Sequence, residues 1–186
     1  MRHGKILSMF SCLVFMAIAA AQPAPANAQG FELEESYRLG PGDLILIDVF
    51  GEDDLSMEVM LDDTGVISYP FLGELSVNGL TAAEFENVLL SGLKGPYLVD
   101  PDITVAIKQY RSVYLTGEVQ EPGGFPYQPG LTVEKAIALA GGFTERASRS
   151  KIELKRGIDA EAMSMRVRLT DPVRPGDIIS VPRSFF

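Results

Sequence analysis

The sequence predicts an α+β protein built as two small β-rich units, each with one short helix. Three observations carry this. Leu39-Gly40-Pro41-Gly42-Asp43 leads into the apolar run Leu44 to Val49 and returns as Val173-Arg174-Pro175-Gly176-Asp177 before Ile178-Ile179-Ser180-Val181. Two stretches show helical spacing of apolar residues, and the remaining apolar runs are short, alternating and bounded by Gly, Pro or Asp. In each echoed segment proline fixes its backbone angle, glycine supplies the left-handed corner of a type II turn, and aspartate can bond nearby backbone as the chain enters a strand.

In the first unit, Leu44 to Phe50 is too apolar for an exposed sheet face, which predicts a central strand. Glu58 to Leu61 reads as a second strand. Asp62-Asp63-Thr64-Gly65 has hairpin-turn chemistry, so Val66, Ile67 and Tyr69 are expected to form its partner strand, ended by Pro70. Thr81 and Glu84 form a capping box, in which the hydroxyl serves an orphan amide and the carboxylate reaches back to the cap. Phe85, Val88, Leu89 and Leu93 then make one apolar stripe, stopped by Gly95-Pro96. Ile103, Val105 and Ile107 alternate with Thr104, Ala106 and Lys108, as in a half-buried strand, and the unit ends near Tyr110.

The second unit opens with a strand from Val113 to Val119, broken by a turn at Glu121-Pro122-Gly123-Gly124. After Thr132, a short helix carries Val133, Ala136, Ile137 and Ala140 on one face, with Gly141 or Gly142 available for the left-handed cap. Ile152 with Leu154, and Met165 with Val167 and Leu169, predict two more strands before the last at Ile178 to Val181.

The start of the chain is a targeting segment. Arg2 and Lys5 precede an apolar run from Ile6 to Ala21, and Ala26-Asn27-Ala28 offers the small-x-small site of a signal peptidase, so residues 1–28 are expected to be removed by cleavage after Ala28, with Ala26 and Ala28 as the peptidase site. Cys12 raises a lipid-anchored alternative, but most of the apolar run follows it. Gln29 to Ser36 is acidic and reads as a flexible leader.

Cleavage removes the chain's one histidine and one cysteine, His3 and Cys12, and two cations, so the net charge of −9 falls to −11. No Ser-His-Asp or Cys-His apparatus, disulfide or ordinary zinc site can then be built. No catalytic, metal or cofactor residue is expected. The acidity argues against nucleic acid, whose phosphates need clustered Lys and Arg.

Taken in order, the segments resemble the polysaccharide export family, the outer-membrane auxiliary proteins of capsule and exopolysaccharide secretion. Tyr37 to Phe50, Asp63 to Ile67, Pro70 to Gly73, Gly79-Leu80-Thr81 and Tyr97 to Val105 are similar to its export domain, given as residues 37–111. Val119, Pro122-Gly123, Phe125, Gly130 to Val133, Ala136 to Gly142 and Pro175 to Ile179 are similar to a soluble-ligand-binding β-grasp (SLBB) domain, given as 112–186. The resemblance implies a β-grasp-like second unit and a non-catalytic periplasmic subunit of an export channel, associated with the outer membrane. It further implies a homo-oligomeric ring, polysaccharide as cargo, an inner-membrane copolymerase and, because the chain lacks the larger members' C-terminal amphipathic helix, a separate outer-membrane barrel protein. The alternative is a monomeric periplasmic carbohydrate-binding or adaptor module.

Individual residues take mostly structural readings. Gly40, Pro41, Gly42, Asp43, Gly65, Pro122, Gly123, Gly141, Gly142, Pro175, Gly176 and Asp177 are read as scaffold. Gly40-Pro41-Gly42 precedes a strand, whereas a nucleotide-binding glycine loop follows one. Asp53-Asp54 and Asp62-Asp63 could serve a glycosidase pair or calcium, but adjacent side chains diverge and solvated turn charges are the expectation. Tyr69, Tyr97 and Tyr110 are the candidate polysaccharide contacts, because an aromatic face can cover the apolar side of a pyranose. Tyr114 and Tyr127 share that chemistry. Phe185-Phe186 resembles the terminal aromatic of an outer-membrane barrel, which the two amphipathic helices exclude.

Overall fold

The computed structural model describes residues 37–157 and 163–184; the expected signal peptide, leader and Phe185-Phe186 lie outside these. The architecture is α+β. Strand β1 (Leu44–Val49) is the middle of a three-stranded antiparallel sheet, between β2 (Met57–Met60) and β5 (Ile103–Gln109). Its alternate residues Ile45, Ile47 and Val49 are buried, as the apolar run requires. A 3-10 turn over Asp53–Leu55 links β1 to β2.

The expected hairpin between Glu58–Leu61 and Val66–Tyr69 does not form. β3 (Val66–Tyr69) pairs instead with β4 (Gly73–Ser76), a strand not anticipated from sequence. The Asp62 carboxylate accepts from the amides of Thr64 and Gly65, which closes a local turn. The Gly65 carbonyl then accepts from Val77 and Asn78 just beyond β4, so the chain leaves β2 to build a separate ribbon.

Helix α1 (Ala82–Leu93) follows with both halves of the capping box formed: Thr81 Oγ1 accepts from the Glu84 amide, and the Glu84 carboxylate accepts from the Thr81 amide. Phe85, Leu89 and Leu93 are fully buried, one per turn. Burial of Phe85 alone stabilises the fold by about 2–3 kcal/mol. Val88, placed on the stripe by spacing, is more than a third exposed, because the buried face follows the i, i+4 row. Glu86 Oε1 accepts from the Val105 amide at 2.8 Å and so occupies a donor on the edge of β5.

Beyond Arg111, β6 (Val113–Gly117), β7 (Gly123–Phe125), α2 (Val133–Leu139), β8 (Glu153–Lys155), β9 (Met165–Arg166) and β10 (Ile178–Val181) make a five-stranded mixed sheet in the order β7-β6-β10-β8-β9 with one helix. β10 is central, parallel to β6 and antiparallel to β8. This is a β-grasp-like arrangement. Gly123 and Gly124, expected in a turn, lie in β7 and pair with Leu115 and Tyr114, so the reversal falls before them. Strand β9 is shorter than expected, since Asp171 accepts from the Arg168 amide at 2.8 Å and curls the chain away. Gly141 and Gly142 both take positive φ after α2.

Two hydrophobic clusters result, one from Tyr37 to Val105 and the other from Val113 to Val181, and the half-buried Tyr110 packs against both. Among the described residues no helix is long and apolar enough to cross a membrane.

Candidate functional site

The two echoed turns have the same internal geometry. In Gly40-Pro41-Gly42-Asp43 the Asp43 amide donates to the Gly40 carbonyl at 3.1 Å, and in Arg174-Pro175-Gly176-Asp177 the Asp177 amide donates to Arg174 at the same distance. In the reverse direction, Asp43 Oδ2 accepts from the Gly40 amide at 2.9 Å and Asp177 Oδ2 from the Arg174 amide at 2.8 Å. Gly42 and Gly176 have φ of 88° and 83°, the corner of a type II turn, where a side chain is strained. Each turn feeds the central strand of its own sheet.

Both turns face one residue. A Cβ at Gly42 would lie 3.3 Å from Arg111 Cβ, one at Gly176 would lie 3.1 Å from Arg111 Nε, and one at Gly40 would collide with the Arg111 guanidinium. The Arg111 amide donates to Asp43 Oδ1 at 2.7 Å, while its guanidinium lies over the Tyr37 ring, 5.4 Å from the centroid. Tyr37 donates its hydroxyl to Asp43. Tyr37, Tyr110 and Tyr127 continue as a chain of edge-to-face contacts, with centroids 5.0 and 5.4 Å apart. The joint between the two clusters is therefore an Arg111 hub, bonded to the first turn through Asp43, packed against Gly176 of the second and lying over Tyr37, the first of the three tyrosines.

The electrostatics are those of a closed joint. Burial, then the Asp43 charge, pushes the Tyr37 phenol far above its ordinary value, so it remains a donor. Burial also pushes the Asp177 carboxyl up, opposed by the Arg174 amide and by the charges of Arg156, Arg174 and Arg111. Burial raises the Tyr127 phenol as well. The two buried aspartates are engaged by donors of the joint: Asp43 by the Gly40 and Arg111 amides and the Tyr37 hydroxyl, Asp177 by the Arg174 amide.

The candidate contacts separate by exposure. Tyr69 is buried at 2% and donates its hydroxyl to the Leu55 carbonyl at 2.8 Å, which removes it from any contact with polymer. Tyr110 is half-buried in the hub. Tyr97 is 49% exposed and stacks on Phe71, itself 65% exposed, with centroids 4.9 Å apart and planes 24° apart. Phe71 was not anticipated; its place two residues before a glycine in Pro70-Phe71-Leu72-Gly73 gives no sign of outward display. Gly65 sits so close to Asn78 that a Cβ would collide with it, and Pro122 precedes β7. Asp53 and Asp54 lie in the exposed 3-10 turn, and Asp62 serves the Asx turn described above. Among the described residues no group of three or more His, Cys, Asp or Glu could hold a metal ion.

Against known proteins, residues 32–108 match the family model described as polysaccharide biosynthesis/export protein, and residues 112–168 match the SLBB domain. The exopolysaccharide production protein ExoF of Rhizobium meliloti (strain 1021) is 34% identical over 157 residues, covering 76% of this chain and 36% of ExoF. The polysialic acid transport protein KpsD of Escherichia coli is 28% identical over 152 residues, covering 80% of this chain and 26% of KpsD. The chain thus spans about a third of one relative and a quarter of the other. With the two matches adjoining at the Arg111 hub and in the order the sequence motifs follow, the chain belongs to the polysaccharide biosynthesis/export family, an export domain followed by an SLBB domain.

Proposed function

We propose that this protein is a non-catalytic periplasmic subunit of a polysaccharide export channel, exported with cleavage after Ala28 and divided between domains at residues 111 and 112. The carrying observation is the uninterrupted succession of an export domain and an SLBB domain clamped together at Arg111. Similarity to proteins named for exopolysaccharide production and polysialic acid transport supports a carbohydrate polymer as cargo. The subunits form a homo-oligomeric ring at the outer membrane, fed by an inner-membrane copolymerase and continued by a separate outer-membrane barrel protein. The chain's own residues supply a rigid wall and no bond-breaking step.

Deletion of the gene tests this reading. Surface polysaccharide is expected to disappear while polymerase activity in membranes persists, and the wild-type gene is expected to restore secretion. Native mass spectrometry of the envelope-extracted protein should give an oligomer of subunits beginning at Gln29. Normal secretion in the deletion strain, or glycosidase activity of the purified protein, would overturn it.

A further inference from the structure

Pro70 to Gly73 reverses the chain between β3 and β4 through an unusual turn. The Leu72 amide donates to the Pro70 carbonyl at 2.8 Å, spanning two residues, and the residue between them, Phe71, has φ of 65°. This is the pattern of the γ-turn with positive central φ, which is rare and strained. Among the described residues Phe71 is the one non-glycine with positive φ; twelve other positions in that region are glycine. Elsewhere the chain meets a left-handed backbone with the residue that tolerates it, and here it does not. Burial does not compensate the strain either, because Phe71 as a residue is 65% exposed.

The surroundings of the turn fix the ring outward. Leu72 points inward against α1, where a Cβ at Gly92 would lie 2.8 Å from its methyl groups, so a helix glycine makes room for it. Tyr97, on the loop after α1, stacks beneath Phe71 and directs its hydroxyl toward the Phe71 carbonyl at 3.4 Å. Val99 beside it is 92% exposed. The result is a two-ring aromatic ledge on the export domain, built from two loops that the fold brings together.

Strain kept at an exposed aromatic is evidence that the ring is used. The geometry points to this ledge as a stacking site for the apolar face of a neutral pyranose ring in the exported polymer, an assignment that rests on the export reading above. The charge pattern decides the sugar class. The charged residues in or next to the two loops are Glu74 at the start of β4, Lys94, Asp100 and Asp102, and the one cation among them, Lys94, is paired with Asp100 at 2.9 Å. Among these residues carboxylates outnumber the one cation, which disfavours an acidic sugar, whereas an uncharged ring can lay its C–H face on Phe71 and bond to the Tyr97 hydroxyl.

The test titrates the full exported chain with cellohexaose, a neutral probe, and with a sialic acid hexamer, a charged one, following aromatic NMR resonances. Cellohexaose is expected to shift Phe71 and Tyr97 saturably while the sialic acid hexamer does not. Phe71→Gly and Tyr97→Ala should each weaken the binding by about tenfold or more. Phe71→Gly relieves the backbone strain, so its melting temperature should equal or exceed that of the wild type. Absence of saturable shifts at these rings, a preference for the charged probe, or a fall of several degrees for Phe71→Gly would overturn the assignment. Loss of oligomer mass in the variants without sugar shifts would make the ledge a subunit contact instead. Secretion lost in the deletion strain while cellohexaose leaves these rings unmoved would retain the export role and discard the ledge.

Discussion

The backbone amide of Arg111 is hydrogen-bonded at 2.7 Å to the carboxylate of Asp43, a residue 68 positions earlier in the chain. That carboxylate also accepts from the Tyr37 hydroxyl and the Gly40 amide, so one buried side chain holds the first strand's entry turn, Tyr37 and the interdomain joint.

Asp43→Ala is expected to destabilise the protein by about 3 kcal/mol or more, since it strands several donors out of water. Asp177→Ala should cost less, because Asp177 serves the amide of its own turn. Urea unfolding of both variants checks the order; equal losses would show that the joint adds nothing to the turn.

Gly42→Val should harm folding far more than Asp53→Ala. The φ of 88° and the Arg111 side chain 3.3 Å away both oppose a β-branched residue, at about 2 kcal/mol or more in total. Asp53 begins the short 3-10 turn and is exposed, so its loss should stay within about 0.5 kcal/mol. Thermal melts of the two variants provide the comparison.

Thr81→Ala removes the acceptor for the Glu84 amide and should lower stability by about 1 kcal/mol. Thr81→Ser keeps the acceptor and should recover most of the loss. A melt in which both variants match the wild type would place the helix's stability entirely in Phe85, Leu89 and Leu93.

The pH dependence has a definite sign at Asp177. Burial raises its folded pKa above the ordinary value of 3.8, so its contribution is most favourable below that value and is lost as pH rises through the folded pKa. Asp62, Asp100 and Asp171 are shifted down by their hydrogen bonds and act in the opposite direction, with stability lost as pH falls. The difference between wild type and Asp177→Asn cancels these three. Asp177→Asn should therefore gain stability relative to wild type from pH 3 to pH 7, as read by urea midpoints at each pH.

Alanine at Asp53, Asp54, Asp62 or Asp63, or at Glu118, whose carboxylate accepts from the Thr144 hydroxyl, should leave secretion intact if the subunit acts as a wall. Surface polysaccharide and native mass are measured together for each variant. A folded, assembled variant that secretes nothing would indicate chemistry or specific binding at that carboxylate.

Local chemistry made much of the fold legible. The capping box, the helix-face spacing of Phe85, Leu89 and Leu93, and the two Pro-Gly-Asp turns each depend on residues within a few positions of one another, and each appears in the structure. Pairing over distance was harder to read. Asp62 to Gly65 has the composition of a hairpin turn, but β1 takes β2 as its partner and Gly65 bonds instead beyond β4. Tyr69 and Tyr97 are the same residue type beside prolines, and only tertiary packing buries one and displays the other. Arg111 carried no signal at all, because its role depends on two turns that lie 68 and 66 positions away from it at Asp43 and Asp177. Phe71 was hidden for another reason: its sign is a backbone angle, and the residue type argues against that angle.

The Arg111 hub has a mechanical consequence for any closed assembly of this chain. When identical parts are laid side by side around an axis, a small angular wobble within each part is multiplied by the number of parts before the last meets the first. A loose joint between the domains would let such a circle close at several sizes or spiral open. If the joint seated by Asp43, both glycine corners and a row of tyrosines holds one wedge angle, the size of any such circle would be set inside each chain before any two chains meet.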